Sequence, residues 1–105
     1  MVIGAGAIGL LVAQAGIAIG AGKVMVLDTR DKPLAVANEL GIEEARKINQ
    51  ENLKKEIQDF TNQKGADVII DTVGTGKTIT ASLRSLNRFG RLILVATTED
   101  EITIK

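Results

Sequence analysis

The sequence predicts an α/β fold, a doubly wound parallel sheet in a three-layer α-β-α arrangement with strand order 3-2-1-4-5-6, formed as one domain over residues 1–105. Three observations predict it. Short apolar or β-branched runs alternate with helix-spaced segments along the chain, the first such unit carries Gly4-x-Gly6-x-x-Gly9, and the second strand ends on Asp28, nineteen residues after Gly9. Strand, glycine turn, helix, strand and acid in this register suit a bound dinucleotide, whose pyrophosphate and adenosine ribose need the turn and the acid respectively.

The opening "MVIGAGAIGLLVAQAGIAIGAGK" has no charged side chain after Met1 until Lys23. About 20 uncharged residues is also the length of a membrane span, and "GIAIG" from Gly16 to Gly20 is a small-xxx-small pattern. The glycines oppose that reading. Gly4, Gly6, Gly9, Gly16, Gly20 and Gly22 all fall in the window, and each glycine inside a helix costs roughly 1 kcal/mol relative to alanine. No basic segment precedes the apolar run as a secretory signal requires. "MVI" therefore reads as a strand and "AIGLLVAQAGIAI" as a helix with apolar spacing at Ile8, Leu11, Val12, Ala15 and Ile19. Gly4 permits the tight turn, Gly6 lets a pyrophosphate approach the backbone, and Gly9 lets the helix lie close to the strand. The free N–H groups at the helix start would hold the anion.

"KVMVLD" is the second strand, and Asp28 at its end can accept hydrogen bonds from ribose hydroxyls. The competing structural reading is that Asp28 opens the turn "DTRDKP" and caps the next helix. "DKPLAVANELG" reads as that helix, with Asp31 near its N-cap, Pro33 in its first turn, Gly41 as its stop, and Leu34, Ala37 and Leu40 toward the sheet. A short edge strand is expected around Arg46 to Ile48. "ENLKKEIQDFTNQKG" is amphipathic, with Leu53, Ile57 and Phe60 on one face. "ADVIIDTVG" is a near-continuous apolar strand, expected beside the first strand and covered on both faces. "GKTITASLRSLNRFG" reads as a helix with Ile79, Leu83 and Leu86 inward and Gly90 as terminator, followed by the strand "RLILVAT" and a final short strand, "EITIK".

Thirteen basic residues balance thirteen acidic ones, so net charge steers the chain toward neither nucleic acid nor an anionic membrane. Cys and His are both absent, which removes disulfides, thiol nucleophiles, soft zinc ligands and the side chain that ordinarily titrates near neutral pH. Trp and Tyr are absent too, and Phe60 and Phe89 read as core residues rather than base-stacking platforms. No nucleic-acid or membrane partner is expected, and with no export signal the default location is the cytoplasm.

Together, "VIGAGAIGLLVAQ", "KVMVLD", "NELG", "KGADVIIDTVG" and "NRFGRLILVA", in this order and near these spacings, resemble the cofactor-binding Rossmann domain of the medium-chain, zinc-dependent alcohol and polyol dehydrogenases. The resemblance covers essentially the whole chain. It implies that Gly4, Gly6 and Gly9 form the phosphate turn with backbone N–H from Ala7 and Ile8, that Asp28 holds the adenosine ribose, and that Arg30 flanks the ribose or adenine. It further implies that Thr72, Val73 and Gly74 approach the cofactor from the fourth strand, and that Val95 and Ala96 offer backbone at the nicotinamide end. The cofactor implied is NAD rather than NADP, because an Asp facing an extra phosphate at about 4 Å costs roughly 4 kcal/mol at an effective dielectric near 20. Arg30 softens that repulsion.

In the family the zinc, its Cys and His ligands and the proton relay come chiefly from a separate catalytic domain. The resemblance thus implies no catalytic or zinc-ligating residue in this chain and an NAD(H)-binding role in hydride transfer that needs a catalytic domain as partner. A nucleotide-sensing regulatory module, binding NAD without catalysis, is the alternative, since it needs none of the missing groups. A cofactor domain without its companion exposes surface, and the edge "EITIK" can pair with its copy, so homo-oligomerisation is an expectation.

Overall fold

The computed structural model describes residues 1–49 and 51–96. In chain order they form β1 (Val2–Ile3), α1 (Ala7–Ala18), β2 (Met25–Asp28), α2 (Asp31–Glu39), β3 (Glu44–Lys47), α3 (Leu53–Phe60), β4 (Ala66–Asp71), α4 (Gly76–Leu83) and β5 (Leu86–Leu94). The sheet runs β3-β2-β1-β4-β5, and every neighbouring pair is parallel. This is the expected doubly wound order for its first five strands; the sixth, "EITIK", lies outside the described residues.

Alternation along the strands divides the core in two. On one face Val2 and Val26 meet Leu10 and Ala13 of α1 and Leu34 and Ala37 of α2. On the other, Ile3, Leu27 and Ile69 meet Leu53 and Ile57 of α3. Burying each such aliphatic side chain is worth about 1.5–3 kcal/mol, so the three-layer arrangement follows from strands that are apolar on both sides. Phe60 packs at the margin of the second cluster, as its helical spacing predicts.

The structure corrects several expectations. In α1 the sheet-facing residues are Gly9, Leu10 and Ala13, whereas Ile8, Leu11 and Ala15 are exposed and Ile19 is 85% exposed. A Cβ at Gly9 would run into the Gly4 carbonyl, so that close approach fixes which side of α1 faces β1. An apolar helix with little amphipathic contrast has no periodicity strong enough to say so. In α2, Leu34 and Ala37 are buried but Leu40 is exposed at the helix end, and Ile42 beyond the Gly41 turn fills the core instead. β3 starts two residues before its expected position, and Ile48 follows it as a buried residue.

The largest correction concerns residues 84–90. The helix ends at Leu83, which is exposed, and Leu86 opens β5 rather than closing α4. Pairing passes from Ala66↔Leu86 to Val68↔Arg91, so β5 advances five residues while β4 advances two. The surplus bulges outward, with Phe89 at φ 62° and 95% exposed. Phe89 is therefore not a core residue, and Gly90 sits in the strand rather than ending a helix.

β4 lies beside β1 as expected, but only one of its faces is well covered. Val68 is exposed, and a cavity of about 590 Å³ opens between α1 and β4, lined by Val12, Ile19, Val68 and Ile70 among others. No helix among the described residues is long and apolar enough to cross a membrane.

Candidate functional site

The carboxyl ends of β1, β2, β4 and β5 are adjacent, and the residues singled out in the sequence collect there. At the end of β1, Gly4 turns the chain with φ +100° and its N–H donates to the Leu27 carbonyl at 2.7 Å. Gly6 then caps α1 without any side-chain cap, and no acidic residue occupies the first helical turn. The first N–H groups of a helix have no partner within it, so Ala7, Ile8 and Gly9 start α1 with donors and the positive end of its dipole directed outward. Nothing lies within 4 Å of where a Gly6 Cβ would stand. The turn thus leaves room for an anion to reach the backbone.

Asp28 ends β2 beside this turn and is 6% exposed. Its Oδ2 accepts from the Ala5 N–H at 2.8 Å and from Arg30 Nη2 at 3.1 Å. Its Oδ1 accepts from the Arg30 N–H at 2.9 Å and from Arg30 Nε at 3.0 Å. Burial alone would push the carboxyl upward; the Arg30 side chain, the backbone N–H groups of Ala5 and Arg30, and the Arg30 charge outweigh it and hold the carboxyl below its usual value. Of the structural reading, the bracing of the β2–α2 turn is seen, but Asp28 does not cap α2, whose N-cap is Arg30 without a side-chain cap; the acid also ties that turn to the glycine loop.

At the end of β4, Asp71 is 0% exposed. Its Oδ1 accepts from the N–H groups of Val73 and Gly74, each at 2.9 Å, and its Oδ2 accepts from Thr78 Oγ1 at 2.7 Å. Thr75 caps α4 in a reciprocal box with Thr78, so Asp71 ties the strand end to the turn and the helix that follow it. Thr72 donates through both its N–H, at 2.9 Å, and its Oγ1, at 2.7 Å, to the Ile3 carbonyl. The Val95 N–H donates to the Asp71 carbonyl at 3.0 Å, and a Cβ on Gly74 would meet that of Ala96 at 2.8 Å. From β2 to β5 this row of loops spans three inter-strand steps, roughly 14 Å.

Two cavities flank the row. One, of about 290 Å³, is lined by Asp28, Thr29, Arg30, Ile48, Leu53, Val73, Thr75, Lys77 and Thr78 over a floor of Ile3 and Leu27. The other, of about 380 Å³, runs along Ala5, Gly6, Ala7, Arg30 and Lys32. Arg30 borders both. The sequence puts Thr75, as a helix cap, and Lys77 near the expected cleft and gives no sign that Ile48 and Leu53 line it. In the sequence Ile48 reads as the end of an edge strand and Leu53 as one apolar residue of an amphipathic helix face, and neither pattern marks a cavity wall.

Residues 7–105 match the family described as zinc-binding dehydrogenase. The chain is 32% identical over 104 residues to an uncharacterised zinc-type alcohol dehydrogenase-like protein of Escherichia coli K12, covering 99% of this chain and 30% of that protein. It is also 32% identical over 108 residues to L-idonate 5-dehydrogenase of Vitis vinifera, again covering 99% of this chain and 30% of the relative. Among solved structures, the alcohol dehydrogenase TADH of Thermus sp. ATN1 superposes with a TM-score of 0.89 at 28% identity, over 99% of this chain and 30% of that one. The chain therefore spans about 30% of the length of the relatives it matches.

Proposed function

Because the chain belongs to the zinc-binding dehydrogenase family, we propose that residues 1–105 are the dinucleotide-binding domain of an alcohol or polyol dehydrogenase-like oxidoreductase, holding NAD(H) for hydride transfer to or from an alcohol or carbonyl substrate. The observation that carries this reading is the hydrogen bond from the Ala5 N–H to Asp28 Oδ2. It joins the glycine turn to the acid at the end of β2, so that a phosphate-sized opening and a ribose-sized acceptor belong to one surface. Gly4, Gly6 and Gly9 shape the turn, and Ala7 and Ile8 present N–H groups to the pyrophosphate. Asp28 and Arg30 face the adenosine ribose. Thr72, Val73 and Gly74 border the middle of the cofactor, and Val95 and Ala96 its nicotinamide end.

When bound, the nicotinamide supplies the hydride acceptor or donor. The described residues contribute binding and orientation. The chain contains no Cys or His, and no three acidic residues cluster as a metal site among the described residues. The described residues therefore do not fit a zinc ion. Substrate polarisation and proton transfer are the part of a catalytic-domain partner.

The test is a fluorescence titration of NADH with the 105-residue chain, with NADPH and an Asp28→Ala variant alongside. Saturable binding that favours NADH and weakens at least about tenfold in the variant, the scale of losing hydrogen bonds to a charged group, supports the reading. A folded chain that binds neither nucleotide overturns it.

A further inference from the structure

Asp28 has no acceptor to spare. A carboxylate offers about four lone-pair sites, and four donors fill them here: the N–H groups of Ala5 and Arg30, and Nε and Nη2 of Arg30, at 2.8 to 3.1 Å. A ribose arriving with two hydroxyl donors would find every site taken. Two of the four donors are backbone and fixed by the turn. The other two belong to one guanidinium whose side chain is 65% exposed, and that group alone can withdraw. Its withdrawal frees one site on each carboxylate oxygen, which suits two vicinal hydroxyls.

Arg30 stays near when it leaves, because it borders both cavities beside the acid. Lys77 lines the cavity of about 290 Å³ with Asp28 and makes no ion pair among the described residues. The cleft thus carries one acid and two cations, whereas a site with Asp28 alone would repel a second phosphate. An Arg near this position is a known means of accommodating a 2′-phosphate.

We propose that Arg30 is an exchangeable cap on Asp28 that sets cofactor choice: its guanidinium yields the carboxylate to the ribose hydroxyls of NAD(H), and beside the acid it admits the 2′-phosphate of NADP(H). The inference rests on the dinucleotide reading above and deepens it. It differs from a purely structural role for Arg30, in which the ion pair only braces the β2–α2 turn and the two cofactors would be affected alike.

The experiment compares NADH and NADPH binding by fluorescence in the 105-residue chain and in Arg30→Ala and Arg30→Gln, with circular dichroism and thermal melts to establish folding. In the parent chain NADPH binds within about tenfold of NADH, the effect of one charge-assisted contact. In either folded variant NADH binds more tightly, because nothing competes for Asp28, while NADPH binds about tenfold more weakly or is lost. These opposite shifts are the expected signature. Equal shifts in both affinities, or no shift in either, overturn the exchangeable cap and leave the dinucleotide reading intact. Exclusion of NADPH by the parent chain as complete as in the variants overturns it too. Failure of the folded parent chain to bind either nucleotide overturns both.

Discussion

Two buried aspartates end the strands on either side of β1, and their partners set them apart. Asp71 is held by the N–H groups of Val73 and Gly74 and by the hydroxyl of Thr78, all neutral and all part of the turn and helix that follow it. Asp28 is held by two backbone N–H groups and by a guanidinium that reaches in from solvent. The same residue type at the carboxyl end of the two strands that flank β1 is thus held in two ways. Where every donor is built into the turn and helix, the carboxylate is a structural tie; where half of them come from one exposed side chain, it is the acceptor that the proposed exchange requires.

The strongest challenge to this contrast is Asp71→Ala. It takes the acceptor from the buried Gly74 N–H and the part-buried Val73 N–H and leaves the Thr78 hydroxyl with the Thr75 carbonyl alone, and with hydrogen bonds to a charged group worth about 1.5–3 kcal/mol each but not additive, the expected loss is about 2–4 kcal/mol. Urea unfolding measures it. Asp71→Asn keeps an oxygen for Val73 and Gly74 and recovers most of that loss if the partners are as described. Thr78→Val, which removes the hydroxyl from Asp71 and opens the cap on Thr75, is expected to cost about 1–2 kcal/mol in the same assay. For Asp28→Ala the order reverses, with a stability loss nearer 1 kcal/mol and the main effect in the NADH titration. Equal stability losses from Asp71→Ala and Asp28→Ala would end the distinction.

How much of this the amino-acid sequence shows depends on how local the cause is. The glycine turn, the Asp28 position and the order β3-β2-β1-β4-β5 are legible, because close backbone approach and strand-helix alternation leave marks at fixed spacing. The facing of α1 is not legible from its apolar pattern, although Gly9 itself held the clue: the residue that must touch β1 fixes the inward face. The bulge that exposes Phe89 is set by how β5 aligns with β4, a long-range pairing for which "SLNRFG" gives only helix-like spacing. The Asp28–Arg30 interlock lies between these cases. Its two residues are two apart and visible, yet nothing in the letters says that the guanidinium folds back on the acid rather than into water.

The smallest expected effect is the one that isolates that interlock. Hydrogen bonds and charge from Arg30 help hold the Asp28 carboxyl below its usual value, so folding favours the ionised form. The stabilisation is fully present above the unfolded-state pKa, about 3.9, and is lost as the pH falls through the lower folded-state value. Arg30→Gln removes the charge and leaves only backbone N–H groups to offset burial, so the variant's folded-state value lies above the parent's and the variant loses less stability than the parent as the pH falls. The gap between them should be widest near neutrality and close once the carboxyl is protonated in both. Urea midpoints from pH 2 to 7 follow it. Because the Arg30 side chain is exposed, solvent and salt screen the pair, and raising the ionic strength should narrow the gap. A gap that persists unchanged at the acid end would mean that Arg30 acts on the turn through packing, and Asp28 would then resemble Asp71 more closely than its partners suggest.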